Sequence, residues 1–333
     1  MLRLPPFEFR NARTAAEAVE LWSSADGRAM YVAGGTDLVP NMKRRQFEPP
    51  VLVGIRRLEH GRNVEERADG GLTIGAAATL RQIADDPRFG SAYAALAEAA
   101  GQVANLQIQR VGTLGGNLCV DTRCNYYNQT FEWRKSVGFC LKKDGDICLV
   151  APGSSKCWAI SSSDSAPALM ALGAQVELLG GTGPRVIDLA SLYQDDGIEY
   201  LTRRPDEILT RVMLPAPKPG QVSAYTKVRR RGSFDFPILG VGASLRLEDG
   251  LIRDARVVLG AVHTHPLDVP VASELLEGQA PTLELLEAAA EAAYRRATPL
   301  DNADLVYYWR KRVTRVHVRR TLARLCRIEA ASA

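Results

Sequence analysis

Apolar and polar positions follow one rhythm near the start of the chain and another after residue 57. Phe7 to Phe9, Ala29 to Ala33 and Val51 to Ile55 are short apolar runs that predict strands. Between them, Ala15 to Ser23 has helical apolar spacing, opened by Thr14 and Glu17 as a capping box. This pattern predicts a small βαβ-type unit. Asp69-Gly70 then gives a hairpin signal ahead of Leu72, Ile74 and Ala76. Thr79 with Gln82 predicts the start of a short helix, and Ala92 to Ala104 a longer one. Ala166 to Leu172 reads as a helix and Ala174 to Leu179 as a strand.

Leu214 to Gly220 carries three prolines and reads as a linker. Beyond it, Val241 to Leu247 and Ile252 to Val262 flank Asp249-Gly250 as an antiparallel hairpin. Leu283 to Arg296 and Ala303 to Ile328 predict two helices. No repeat of fixed period is visible. The pattern predicts three domains, 1–57, 58–215 and 216–333. The first two are α/β or α+β, and the last is a small antiparallel sheet with helices.

The 333 residues suffice for two or three domains with their own cores. Hydrophobic residues make up 46% and charged residues 24%, which excludes long disorder. The net charge of +4 gives no case for nucleic acid. No apolar run reaches the roughly 18 residues that a membrane helix needs. Pro5, Pro6 and Glu8 interrupt the start where a signal peptide is apolar, so a cytoplasmic protein is expected.

Two glycine loops stand out. Ala33-Gly34-Gly35-Thr36-Asp37 follows a predicted strand, and Gly112-Thr113-Leu114-Gly115-Gly116-Asn117 follows a predicted helix. Paired glycines allow positive φ and let backbone N–H groups converge on an anion. Two such loops suit a diphosphate, although either alone also reads as a tight turn. Neither matches the Walker or Rossmann pattern.

Tyr31-Val-Ala-Gly-Gly-Thr-Asp-Leu-Val-Pro40, Gly71-Leu-Thr-Ile-Gly-Ala-Ala-Ala-Thr-Leu80 and Val111-Gly-Thr-Leu-Gly-Gly-Asn-Leu118 occur in one order and spacing. Ser163 to Ala174, Asp206 to Thr210, Ser223 to Arg230 and the C-terminal helix extend the match. The set resembles the FAD-binding subunits of the molybdenum hydroxylases, which include xanthine and carbon monoxide dehydrogenases. The resemblance implies an α+β architecture. It comprises a vanillyl-alcohol-oxidase-type (PCMH-type) FAD-binding fold in two domains, plus a C-terminal domain of a small antiparallel sheet with helices. It also implies that Val32, Ala33, Gly34, Gly35, Thr36, Asp37 and Leu38, with Gly112, Thr113, Leu114, Gly115, Gly116 and Asn117, hold the FAD diphosphate. Thr79, Asp164 on the ribose or adenine side, and Lys227 near the flavin complete the implied set. From residue type alone, Asp164 also reads as a helix cap and Lys227 as a solvated strand residue.

Five of the six cysteines fall between residues 119 and 157, inside about forty residues that the family lacks (about 119–158). Cys124, Cys140, Cys148 and Cys157 are too widely spaced for a zinc ribbon. Spacing alone leaves an iron–sulfur cluster, zinc and ordinary buried thiols open. A flavin beside the loop favours iron–sulfur, because zinc carries no electrons. Cys119 abuts the second glycine loop and Cys326 lies on the C-terminal helix, so neither is counted as a ligand.

An insertion of this kind resembles that of the β subunits of 4-hydroxybenzoyl-CoA reductases. It implies a [4Fe–4S] cluster on those four cysteines. The resemblance further implies electron flow from a low-potential, ferredoxin-like donor through the cluster and FAD. A small [2Fe–2S] subunit and a large molybdopterin subunit would follow, in a dimer of heterotrimers that removes the para hydroxyl of 4-hydroxybenzoyl-CoA. The alternative is a zinc-stapled structural or docking subunit without redox function. The arginines between Arg310 and Arg327 predict a solvated or partner-facing helix. His263-Thr264-His265 has the look of a metal pair, but it lies at a strand end before Pro266 with no carboxylate adjoining it, so it reads as turn or strand.

Overall fold

The computed structural model describes residues 2–328. Strands β1 (Glu8–Asn11), β2 (Ala29–Val32) and β3 (Val51–Gly54) form a parallel sheet in the order β1-β3-β2. Helix α1 (Ala15–Ser23) crosses between the first two, and α2 (Leu38–Lys43) follows β2 directly. Thr14 caps α1 by accepting from the Glu17 N–H at 3.1 Å. Glu17 does not close a capping box on Thr14 as expected; its carboxylate accepts from the Arg13 N–H, one residue earlier, at 2.7 Å.

A second, antiparallel sheet is built from β4 (Val64–Glu66), β5 (Leu72–Gly75), β6 (Gln175–Gly180), β7 (Gly183–Asp188) and β8 (Ile208–Leu214), ordered β4-β5-β8-β6-β7. Between β5 and β6 run α3 (Leu80–Asp85), α4 (Ala94–Gln102), α5 (Leu106–Gln109), α6 (Leu114–Leu118), α7 (Phe131–Ser136) and α8 (Ser165–Ala171). Thr79 and Gln82 do form the expected capping box on α3. The first unit rests on this sheet: Ala18 and Val53 share a buried cluster with Ile208 of β8, and Tyr31 donates to the Asp206 carbonyl at 2.8 Å.

The third sheet runs β12-β11-β10-β9, with β9 (Gln221–Val228), β10 (Leu239–Glu248), β11 (Leu251–Gly260) and β12 (Leu267–Asp268). The β10–β11 hairpin turns at Asp249-Gly250, both with positive φ, as the sequence indicated. Helices α9 (Pro270–Leu276), α10 (Leu283–Arg296) and α11 (Tyr307–Cys326) close its core through Leu286, Ala290, Val318 and Leu322.

The basic face of α11 is less solvated than expected. Arg310 is fully buried and donates to the carbonyls of Leu300 at 2.9 Å and Ala261 at 2.5 Å, and burial lowers its pKa to about 10. Arg315 and Arg319 pair with Glu287 of α10, and Arg324 with Glu98 of α4. These arginines fasten helices, since their acidic partners lie on other elements that sequence spacing does not reveal.

Candidate functional site

A cavity of about 850 Å³ opens between the first unit and the second sheet. The β2–α2 loop forms one wall. Gly35 has φ +69°, the left-handed region that Gly adopts without strain. Gly34 lies so close to the other glycine loop that a Cβ there would stand 2.3 Å from the Val111 carbonyl oxygen. The two loops therefore touch through backbone. Among the described residues, the N–H groups of Gly34, Gly35, Thr36 and Asp37 donate to no protein acceptor. Four consecutive free donors at the entrance to α2 are the kind of donor set from which backbone anion sites are built.

The second loop is built differently. The N–H groups of Gly112, Leu114, Gly115 and Asn117 bond to backbone carbonyls, and that of Gly116 to the Thr113 hydroxyl. Gly115 and Gly116 sit inside α6 without positive φ. Their missing Cβ atoms matter for approach: one on Gly115 would stand 2.8 Å from the Ala76 Cβ. This loop supplies wall, with Thr113 and Asn117 lining the cavity. Asn117 Oδ1 also accepts from the Ser165 N–H at 3.0 Å and the Ser163 hydroxyl at 2.9 Å, which fixes the start of α8.

Val32, Ala33, Gly34, Gly35, Thr36, Asp37, Leu38, Gly112, Thr113, Gly115, Gly116, Asn117 and Asp164 all line the cavity. Thr79, Leu114 and Lys227 do not. Thr79 caps α3, and Leu114 is fully buried in the core. Lys227 donates to Asp164 Oδ2 and to the Gln102 carbonyl, each at 2.9 Å, and its side chain is wholly buried. Asp164 Oδ1 accepts from the Tyr225 hydroxyl at 2.7 Å. Burial raises the Asp164 carboxyl above its usual range, against the pull of Lys227. Asp164 thus ties the cavity wall to β9; its side chain does not cap α8.

Several cavity residues had no motif to announce them, among them Arg123, Phe236, Asp121 and Tyr200. Arg123 pairs with Asp37 and stacks over Phe236, 4.0 Å from the ring centroid. Burial raises the Asp37 carboxyl, with Arg123 opposing. Asp121 receives the Lys142 ammonium at 2.8 Å, with both side chains 6% exposed. Lys142 also donates to the Thr122 hydroxyl and the Gly197 carbonyl, both at 2.6 Å. It ties the cysteine insertion to the cavity wall.

The insertion buries all four cysteines, three of them in one apolar cluster. Cys124, Cys140 and Cys157 cluster with Tyr127 and Ala159, and Cys148 is also buried. Burial pushes the Cys124 thiol up to about 12, with Cys157 and Cys140 adding to it. It pushes Cys157 to about 11, with Cys148 and Cys140 adding and Lys142 opposing. A positive metal centre would hold such thiols as thiolates. Among the described residues, no three of these sulfurs lie within 4.8 Å of one another. Tetrahedral zinc with bonds of about 2.3 Å needs sulfurs about 3.8 Å apart. Cys119 lies on the cavity wall and Cys326 in the α10–α11 core.

Residues 5–217 match the family described as the FAD binding domain in molybdopterin dehydrogenase. Residues 223–325 match the carbon monoxide dehydrogenase flavoprotein C-terminal domain. The chain is 32% identical to the FAD-binding subunit of an aldehyde oxidoreductase from Escherichia coli, over 85% of this chain and 90% of that one. It is 29% identical to the nicotinate dehydrogenase FAD-subunit of Eubacterium barkeri, over 85% and 83%. It is 27% identical to the carbon monoxide dehydrogenase medium chain of Afipia carboxidovorans, over 96% of each. A solved Cu,Mo-carbon monoxide dehydrogenase chain superposes with a TM-score of 0.80 at 23% identity, covering 98% of this chain and 99% of that one, and so shares the fold.

Proposed function

The chain belongs to the FAD-binding family of the molybdopterin dehydrogenases, and from that premise we propose that it is the electron-transfer subunit of a molybdenum complex that also carries a [4Fe–4S] cluster. The complex reductively dehydroxylates 4-hydroxybenzoyl-CoA, drawing on a ferredoxin-like donor. Its partners are a small [2Fe–2S] subunit and a large molybdopterin subunit, arranged as a dimer of heterotrimers. The division into 1–57, 58–215 and 216–333 belongs to the same proposal.

When bound, FAD and the cluster supply electron transfer; this chain binds, orients and shields them. The free N–H groups of Gly34 to Asp37 receive the diphosphate, and Gly112 to Asn117 close over it. Thr79, Leu114 and Lys227 act from behind the wall, as cap, core and counter-ion. Cys124, Cys140, Cys148 and Cys157 hold the cluster. The carrying observation is the burial of all four, with Cys124, Cys140 and Cys157 in one apolar cluster and, among the described residues, no three sulfurs as close together as a single zinc ion holds them. That favours a cluster over the zinc-stapled alternative, whose sulfurs would sit closer.

Anaerobic purification with iron, acid-labile sulfide and flavin analysis tests the reading. Iron and sulfide near four per FAD are expected for a [4Fe–4S] centre. Zinc in place of iron would overturn it. Turnover of 4-hydroxybenzoyl-CoA by the assembled complex tests the substrate separately.

A further inference from the structure

Sequence spacing left His263 and His265 without a carboxylate, but the fold supplies one. The two histidines sit in the β11–β12 turn, and Asp195 reaches them from the segment between β7 and β8. The two Nδ1 atoms are 3.2 Å apart. Asp195 Oδ1 lies 3.4 Å from that of His263 and 3.7 Å from that of His265. The Thr264 hydroxyl covers this triangle, 2.6 Å from Asp195 Oδ1, 3.0 Å from His263 Nδ1 and 3.2 Å from His265 Nδ1.

The four donor atoms thus mark a tetrahedron with edges from 2.6 to 3.7 Å. Zinc with bonds of about 2.0 Å to nitrogen and oxygen separates its ligands by about 3.3 Å. Among the described residues, Asp195, His263 and His265 are the only group of three or more metal-ligating side chains whose ligand atoms lie within 4.8 Å of one another. We propose that Asp195, His263 and His265 bind one divalent ion of the zinc type, with the Thr264 hydroxyl at the fourth vertex.

The Lys156 ammonium also reaches Asp195 Oδ1, at 2.5 Å, and sits 4.1 Å from the Trp158 ring centroid. An incoming ion displaces this ammonium along the indole face. Trp158 packs edge-on against His263 at 5.5 Å, next in sequence to Cys157. The ion therefore ties the third sheet to the β7–β8 segment, with the end of the cysteine insertion held alongside by the Trp158–His263 contact. Its role is structural, and it does not depend on the cluster.

Cobalt titration of the full chain tests this, with flavin, iron and melting temperature measured on every variant. The expected result is one equivalent of Co²⁺ with tetrahedral visible bands and no thiolate-to-cobalt charge transfer. His265→Ala should lower affinity more than about 100-fold, beyond the usual loss for an outer-sphere partner. Asp195 is half exposed, so Asp195→Asn should fold and show a comparable loss. Lys156→Met removes the competing cation and should tighten binding roughly tenfold, about 1.4 kcal/mol. Cobalt uptake that Asp195→Asn and Lys156→Met both leave unchanged would overturn the site, as would a spectrum of thiolate bands alone.

Discussion

Arg123 and Ile160 exchange both backbone hydrogen bonds, at 2.8 and 2.7 Å, and this single bridge is the neck of the cysteine insertion. Everything between them loops out and returns. Asp121 and Arg123, which line the flavin cavity, lie on the host side of the neck. Replacing Cys124 to Ala159 with a short Gly/Ser linker should therefore leave a folded chain that retains FAD, because the loop ends already meet. The deletion takes the Tyr127 carbonyl from Gln46, at about 1–3 kcal/mol, and the Lys142 ammonium from Asp121, whose carboxylate then meets water instead. Flavin absorbance and a denaturant melt check this. Reduction by a small dye should persist and reduction by ferredoxin should fail; rapid flavin reduction by ferredoxin would refute entry through the insertion.

The four buried thiols should behave as one unit. Cys124→Ser, Cys140→Ser, Cys148→Ser and Cys157→Ser should each lose most of the iron, while Cys119→Ser and Cys326→Ser keep it. Iron analysis of anaerobically purified variants decides, and iron that survives Cys148→Ser would exclude that residue from the ligand set.

Gly34→Ala should strip the flavin while leaving the third sheet folded. Its new Cβ meets the Val111 carbonyl, which is backbone and cannot turn aside. Overpacking of this kind costs about 1–3 kcal/mol. Here the strain falls on the loop that offers the four free N–H groups. Flavin-to-protein ratio after gel filtration is the measurement, and a full ratio would show that the two loops can part without consequence.

The fold was legible wherever local chemistry sets it. Thr79 with Gln82, the Asp249-Gly250 turn and the run into Gly34-Gly35 each carry their own instruction. What stayed hidden was contact between distant segments. Arg310 resembles its exposed neighbours on α11, yet it is the one buried against the Leu300 and Ala261 carbonyls. Gly115 and Gly116 look like Gly35 in sequence, but they are helical and serve close approach. Asp195 and His263 lie too far apart for any spacing rule, and Lys142 bears no mark of its bond to Asp121.

Glu207 gives a pH-dependent prediction. Its side chain is buried and accepts from Arg185 Nε at 2.6 Å, Arg185 Nη2 at 2.9 Å and the Arg204 N–H at 2.6 Å. These bonds, led by Arg185, hold its carboxyl below the usual 4.5. A lowered carboxyl stabilises the fold above its unfolded-state value, and that stability disappears as pH falls through the folded-state value. Glu207→Gln should cost about 1.5–3 kcal/mol at pH 7. The gap to wild type should shrink as pH falls below 4.5. Parallel urea melts across pH test it, and a gap that widens in acid would contradict the ion pair.

Lys142→Met should leave Asp121 as a buried charge without its partner, at a cost of about 3–5 kcal/mol. Adding Asp121→Leu should recover much of that loss, because the uncompensated charge is gone. A double-mutant cycle by denaturant melting measures the coupling, and simple additivity would mean that the pair is not coupled.

The insertion grips its surroundings mostly through main-chain oxygen. Arg134 donates to the Arg44 and Arg45 carbonyls, Lys142 to that of Gly197, and the Asn125 N–H to that of Asn302. Every residue has a carbonyl, so such anchors ask little of the side chains around them. A segment seated this way needs matched host side chains at only a few points, Asp121 and Gln46 among them, and substitutions elsewhere beneath it would leave the seat in place.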